Sequence, residues 1–314
     1  MYDRRMRKDM RNLEIKTLTR KEITAGRHRM ELPLFILVCI ASVLLVIFAI
    51  WASTVDWDIA VSTTVSAVSG YAAVDMDIDV DEIVGMIGGV VNHLLFLIIV
   101  LPAVIPLLLY TKKAKLRGFT VKVSEKNFPE IYEKGLEFTK KLGMKKMPDI
   151  YIGQGNGVLN AFAAALFGRR FVLLHSELVD TVYIHDRDFS SINFVLAHEF
   201  AHHYYRHTPI FFMLITNLIN VIPFLGKALS RAREFSCDRL AALLSETEGF
   251  EELMPIFVGR RLYKCVDQGE YLKNAFAERK GLFLWWINLN ATHPIAPKRL
   301  AALADVQKKD GKLF

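Results

Sequence analysis

The strongest pattern along the chain is a pair of long apolar runs in the first third of the sequence. Residues 32–52 and residues 90–110 are each about 21 residues long and carry no Asp, Glu, Lys or Arg. A helix of about 20 apolar residues crosses a hydrocarbon core about 30 Å thick. The pattern therefore predicts a transmembrane hairpin over residues 32–110, in which an acidic outer loop, residues 53–89, joins two spans.

The rest of the chain, residues 111–314, has the mixed pattern of a folded domain. Apolar residues at helical spacing predict helices over about residues 188–207 and 230–245, and a short apolar run at 171–174 predicts a strand. We expect a mainly α, α+β fold with a small β-sheet. An apolar segment at 210–229, interrupted by Asn and Pro, is predicted to lie close to the membrane, either interfacial, re-entrant or buried in the domain.

The charge distribution orients this arrangement. The net charge is +7, and no Lys or Arg occurs between residues 30 and 111. The basic residues resume at Lys112, and a basic tail, residues 1–31, precedes the first span. The positive-inside rule places both in the cytoplasm of a multi-pass protein of the plasma (inner) membrane. We therefore expect contact with a lipid bilayer and no binding to nucleic acid. Three cysteines without a CxxC pair favour a reducing compartment.

Four histidines lie within the stretch AHEFAHHYYRH. His198 and His202 are one helical turn apart on the same face, so both imidazoles can bind one metal ion. Glu199 is positioned to take a proton from a water activated by that metal. His203 lies about 100° from this face, and we interpret it and His207 as structural. An amphipathic surface helix with scattered histidines is the alternative interpretation.

A third ligand must come from another element. The metzincin spacing HExxHxxGxxH requires Gly and His where this chain has Tyr205 and Thr208. The predicted helix over residues 230–245 offers Glu234, which leaves one coordination position open. Asp238, one turn further on, is positioned to hydrogen-bond a ligand histidine. The alternative for Glu234 is a surface carboxylate paired with a nearby arginine.

Four stretches in this order resemble the HtpX family of membrane zinc metallopeptidases, relatives of the CAAX prenyl endopeptidases: LNAFAAALFGRRFVLLHSELVD, HExxH, SRAREFSCD and THPIAPKRLAAL. The resemblance implies a zincin domain of the gluzincin type with one zinc ion per chain. His198, His202 and Glu234 would be the zinc ligands, and Glu199 the catalytic base. Members of the family usually carry two more apolar segments between HExxH and the glutamate, and this chain has one.

The resemblance also implies where substrate binds. The run at 171–174 would be the sheet edge that pairs with an extended peptide. Asn160, Ala161 and Phe162 would lie beside it as substrate-binding residues. An ordinary core strand with its loop is the alternative.

The stretch THPIAPKRL contains two further candidates. The resemblance implies that His293 lies near the active site, where a hydrogen-bond donor can stabilise an oxyanion as part of catalysis. The alternative for both His293 and Arg299 is a simple helix start, and for Arg299 we favour that alternative.

We therefore predict a membrane-bound zinc-dependent endopeptidase that acts on protein or peptide substrates. The resemblance implies that these are misfolded or damaged membrane proteins, as in membrane-protein quality control. One alternative is a dedicated processing peptidase of the CAAX type, although such enzymes usually have more spans than this chain. Another is a signalling receptor that combines a zincin domain with the acidic loop as sensor.

Overall fold

The structure is a computed structural model that describes residues 15–72, 79–158, 160–166, 168–181, 183, 188–209, 224–259, 262–278 and 281–304. The described chain is mainly helical, with one small mixed sheet. It forms two compact units. One consists of the chain up to Val38 together with the chain from Lys115 onward, and the other of Cys39–Ala114.

The first four helices are α1 (Arg20–Ala25), α2 (Glu31–Ala52), α3 (Trp57–Ala72) and α4 (Val80–Phe119). Among the described residues, α2 is the one helix long and apolar enough to cross a membrane, which agrees with the first predicted span. The second predicted span lies within α4. Most side chains of that span are outside the described residues, so the second span stays a prediction.

The structure differs from the predicted loop between the two spans. Helix α3 occupies much of this stretch, and α4 begins ten residues before the second apolar run. The cause is visible at the helix starts, where Asp56 and Asp79 accept hydrogen bonds of 3.3 and 3.1 Å from backbone N–H groups of the first turns. These carboxylates therefore act as helix caps. Residues 73–78, within the predicted acidic outer loop, lie outside the described residues.

The sheet has four strands: β1 (Thr120–Lys122), β2 (Asp149–Gly153), β3 (Ala161–Leu166) and β4 (Arg169–His175). Their order is β1-β2-β4-β3. Strands β2 and β4 form the central parallel pair, and the two outer strands run antiparallel to their neighbours.

The sheet order corrects the prediction that residues 171–174 form the substrate-pairing edge. These residues belong to β4, which has β2 on one side and β3 on the other. The edge strand next to β4 is β3, whose sequence AFAAAL lacks the β-branched residues that usually mark a strand. Gly168, with a φ of 75°, lies in the turn that folds β4 back onto β3. Glycine adopts this conformation without steric strain.

Helices α5 to α12 complete the fold: α5 (Pro129–Lys141), α6 (Ser176–Thr181), α7 (Ser190–Tyr204), α8 (Leu225–Ser245), α9 (Phe250–Val258), α10 (Gln268–Glu278), α11 (Leu282–Asn290) and α12 (Ala296–Ala304). Helix α7 packs against α8, α5 and strands β3 and β4, so it lies in the middle of the core. Phe200 of α7 meets Phe138 of α5 edge to face at 6.0 Å. Both side chains are fully buried.

Most of the apolar segment predicted at 210–229 lies outside the described residues. Residues 210–223 are not among the described residues. The end of the segment forms the first turn of α8, which begins at Leu225 rather than near residue 230. Ala228 and Leu229 in that turn are buried.

Candidate metal centre

Two histidines of α7 and one glutamate of α8 meet at a single point. Helix α7 has no Gly or Pro, so His198 and His202 keep the one-turn spacing, and their Nε2 atoms lie 3.1 Å apart. The Glu234 carboxylate oxygens lie 3.4 Å from each of these nitrogens. Glu234 reaches them because α8 packs along α7. The three predicted metal ligands are therefore brought together.

The spacing of these atoms fits a metal ion. Two ligand atoms bonded at about 2.0–2.1 Å to a tetrahedral zinc ion are about 3.3 Å apart. Burial alone would lower the pKa of His198, but the carboxylates of Asp238 and Glu234 raise it to about 10. Burial alone would raise the pKa of Glu234, but the two histidines hold it well below its usual range. The cluster thus favours a positive charge at its centre.

Cys237 is an alternative to Glu234 as the third metal ligand. One ligand atom each from His198, His202 and Cys237 lie within 4.8 Å of one another. However, the Cys237 thiol also lies 3.7 Å from Nδ1 of His207, the nitrogen that faces Nδ1 of His202. Burial raises the pKa of Cys237 well above its usual value, which disfavours the thiolate that binds metals. Glu234 is therefore the better third donor.

Glu199 lies beside the three converging side chains. It is 6% exposed, and burial raises the pKa of its carboxyl group. Its charge interacts with His198 and His202 on the same helix. In the described part of the chain no side chain forms a hydrogen bond with its carboxyl group.

Nδ1 of His198 contacts the buried ion pair formed by Asp238 and Arg299. Asp238 Oδ1 lies 2.9 Å from His198 Nδ1. Arg299 donates two hydrogen bonds of 2.8 and 2.6 Å to the Asp238 carboxylate. Asp238, predicted to hydrogen-bond a ligand histidine, thus lies next to the candidate ligand His198. Arg299, which the sequence favoured as part of a helix start, lies in the first turn of α12 and also extends to within 3.9 Å of Glu234.

The two histidines interpreted as structural differ in their contacts. His203 points away from the metal ligands, and its ring contacts the Phe171 carbonyl at 3.0 Å and Thr208 Oγ1 at 3.1 Å. Burial lowers the pKa of His203 to about 3, so it stays neutral. His207 instead contacts a ligand, because its Nδ1 lies 3.1 Å from Nδ1 of His202.

The position of His207 follows from how α7 ends. Arg206 has a φ of 61°, and the His207 N–H donates to the carbonyl of His202 at 2.9 Å. This is the Schellman pattern of a helix C-terminus, which folds His207 back over His202. The usual residue at the left-handed position is glycine, so Arg206 left no sequence signal for this contact.

The remaining predicted residues lie around this centre. His293 Nε2 is 3.7 Å from Glu234 Oε1, and the His293 side chain is 66% exposed. Asn160 precedes β3, and its side-chain oxygen accepts a hydrogen bond of 2.8 Å from the N–H of Ala161. Phe162, the second residue of β3, is 42% exposed. Since α7 packs against β3, the edge strand lies beside the helix that carries both histidines.

This combination of an HExxH helix, a glutamate from a second helix and a small sheet is typical of a metallopeptidase. The profile of peptidase family M48 matches residues 125–214 and 209–307, which is more than half of the 314 residues. The chain belongs to peptidase family M48. The predicted relationship to HtpX and the CAAX prenyl proteases is thereby confirmed, and the protein is a metallopeptidase that acts on protein or peptide substrates. No curated protein and no solved structure matches the chain.

Proposed function

We propose that the protein is a membrane-bound zinc endopeptidase in which His198, His202 and Glu234 hold one zinc ion. The observation that carries this proposal is the convergence of two Nε2 atoms and one carboxylate at 3.1–3.4 Å. The buried Glu199 beside them supports a hydrolytic reaction. The match to family M48 supports the same chemistry.

The reaction can be assigned to residues of this chain. A zinc ion would supply Lewis acidity, which polarises the scissile carbonyl and makes water more acidic. Glu199 accepts the proton of the attacking water and passes it to the leaving amine. Its raised pKa favours the first of these transfers, because it makes the Glu199 carboxylate a stronger base. His293, close to Glu234 and largely exposed, donates a hydrogen bond to the oxyanion of the tetrahedral intermediate.

Substrate binding is proposed along β3. An extended peptide can add to a free sheet edge through main-chain hydrogen bonds, which gives affinity with little sequence preference. Strand β3 is an edge strand and packs on the helix that carries the metal ligands. Asn160, Ala161 and Phe162, at its start, would bind the substrate backbone and one side chain.

The membrane context is also a proposal. Two spans at about 32–52 and 90–110 would place residues 111–314 on the cytoplasmic side of the plasma (inner) membrane. Helix α2 supports the first span. Helix α11 exposes a run of apolar side chains that is typical of contact with a lipid surface: Leu282, Phe283, Trp285, Trp286 and Ile287. A role in membrane-protein quality control would follow from this position.

The proposed function is tested with the full-length protein purified in detergent. We expect about one zinc ion per chain by mass spectrometry and hydrolysis of casein. Glu199→Gln should retain the zinc and lose hydrolysis, because it removes the proton acceptor and leaves the ligands intact. Purified protein without zinc, or a Glu199→Gln variant as active as the wild type, contradicts the proposal.

A further inference from the structure

Two buried side chains that the proposed reaction does not use extend from the metal ligand His202. Nδ1 of His202 lies 3.1 Å from Nδ1 of His207. Nε2 of His207 lies 3.0 Å from Oε1 of Glu31. His207 and Glu31 are 8% and 1% exposed. The three side chains thus form a line from the metal centre to the first residue of α2.

Metal binding determines the hydrogen-bond roles along this line. When His202 binds a metal through Nε2, its Nδ1 carries the ring hydrogen and donates it to Nδ1 of His207. Nε2 of His207 then carries its own hydrogen and donates it to Glu31, whose carboxylate is only an acceptor. Glu31 therefore selects the tautomer of His207. His207 in turn selects the tautomer and ring orientation of His202.

The Glu31 carboxylate is itself held from two directions. Arg27 donates to Oε1 through Nε at 2.8 Å and through Nη2 at 2.7 Å. The hydroxyl of Ser236 donates to Oε2. Ser236 lies on α8, two residues after Glu234, and accepts a hydrogen bond of 2.9 Å from the backbone N–H of His28. The segment 27–31 is thus bonded to the helix that carries the third metal ligand.

A similar arrangement of side chains supports His198, the other proposed ligand histidine. Behind His198 stands Asp238, held by Arg299. Behind His202 stands His207, followed by Glu31, held by Arg27. Each line ends in a carboxylate bound by an arginine, although the residues come from different parts of the chain.

Attachment of the N-terminal segment does not by itself explain this geometry. The segment is already attached by the Tyr205 hydroxyl, which donates to the carbonyl of Ile23 at 2.9 Å, and by the contact between His28 and Ser236. Neither attachment requires the ring of His207 to face Nδ1 of His202.

We propose that His207 and Glu31 are positioning residues for His202, and that segment 27–31 is a required part of the metal centre. This inference rests on the proposed function, in which His202 is a metal ligand. It follows that the metal is held tightly only while the start of α2 is docked on α8 and on the residues that follow α7. Displacement of the N-terminal segment would therefore release metal without any change in the ligands themselves.

The test measures zinc release from the full-length protein to a chromogenic chelator. Substitution of an outer partner of a ligand histidine typically weakens metal binding about 10–100-fold. We therefore expect His207→Phe and Glu31→Ala to release zinc about 10–100-fold faster than the wild type. His207→Gln should restore most of the retention, because the amide accepts from His202 and donates to Glu31. The visible absorption of the cobalt-substituted protein should change in the two disruptive variants and return in His207→Gln.

Two variants serve as matched controls. His203→Gln removes a buried histidine beside His202 that does not contact the metal ligands, and Tyr205→Phe removes an attachment of the N-terminal segment. Both should release zinc at nearly the wild-type rate. If they release it as fast as His207→Phe, the line only holds the fold together and the inference is wrong.

The test also separates this inference from the proposed function. If His202→Ala loses zinc while His207→Phe and Glu31→Ala release it at the wild-type rate, the ligand set stands and the positioning role is overturned. If His202→Ala keeps zinc as tightly as the wild type, the proposed ligand set is wrong and the inference falls with it.

Discussion

Arg299 donates two hydrogen bonds, of 2.8 and 2.6 Å, to the carboxylate of Asp238, which lies 2.9 Å from Nδ1 of the proposed metal ligand His198. Both side chains are buried, at 7% and 2% exposure. Burial alone would raise the pKa of Asp238, but Arg299 holds it below its usual range. The ionised Asp238 can therefore accept a hydrogen bond from His198 and leave Nε2 free to bind metal.

Removal of Arg299 should damage both stability and metal binding. Arg299→Met leaves a buried carboxylate without its cation, and breaking a buried pair in this way costs about 3–5 kcal/mol of unfolding free energy. Chemical unfolding in detergent measures this loss, and zinc release should be faster than in the wild type. The double variant with Asp238→Asn should recover part of the stability, because no uncompensated charge remains. Equal stability of Arg299→Met and the wild type contradicts this interpretation.

The third ligand can be tested by comparing Cys237 with Glu234. Cys237→Ala should keep about one zinc ion per chain, because burial disfavours the thiolate form of Cys237. Glu234→Ala should lose the metal, because it leaves only two protein ligands. Metal analysis after dialysis against a weak chelator measures the difference. The opposite pattern would assign Cys237 as the ligand.

The start of the edge strand offers a test of substrate binding. Phe162→Ser removes a half-exposed aromatic ring from β3 and leaves the metal ligands unchanged. We expect the KM for a peptide substrate to rise about tenfold with little change in kcat, as for the loss of one apolar contact made equally in the ground and transition states. Val158→Ser, in the preceding loop, is the matched control, since Val158 is also exposed but lies outside β3. A fall in kcat with unchanged KM contradicts this role.

The stability that Glu177 gives to the loop before β3 should depend on pH. Glu177 accepts backbone hydrogen bonds from Gly157 and Gly155, at 2.6 and 2.9 Å. These bonds, led by that from Gly157, lower the pKa of Glu177 to about 2.

In the unfolded chain the pKa of glutamate is about 4.3. Ionised Glu177 therefore stabilises the folded chain above about pH 4.3, and this contribution is lost as the pH falls towards 2. Glu177→Gln should lower Tm at neutral pH, and the difference from the wild type should shrink below about pH 4.3. Thermal unfolding at several pH values measures it. A difference that stays constant over this range would mean that the charge of Glu177 does not contribute.

The sequence predicted the local part of the metal centre. His198, Glu199 and His202 lie on one helix, where spacing alone determines which side chains share a face. Glu234 was predicted as the third ligand because a second amphipathic helix carries it one turn before Asp238. The first step needs only helix geometry and the ligand chemistry of zinc, whereas the choice of Glu234 also rests on the resemblance to the HtpX family.

The outer contacts of the centre depend on long-range packing and on unusual backbone conformations. Glu31 meets His207 across 176 residues of sequence, and no local pattern connects them. Arg206 adopts the left-handed conformation that glycine usually marks. The small residues of β3 have weak strand propensity. The sequence therefore assigned the edge to residues 171–174, which belong to the next strand, β4.

In the proposed metal centre, two histidines and one glutamate hold a zinc ion without a sulfur ligand. Zinc X-ray absorption of the full-length protein identifies the ligand atoms. We expect only nitrogen and oxygen scatterers, at about 2.0–2.1 Å. A sulfur scatterer at about 2.3 Å, or an absorption spectrum of fully hydrated zinc, would contradict this ligand set.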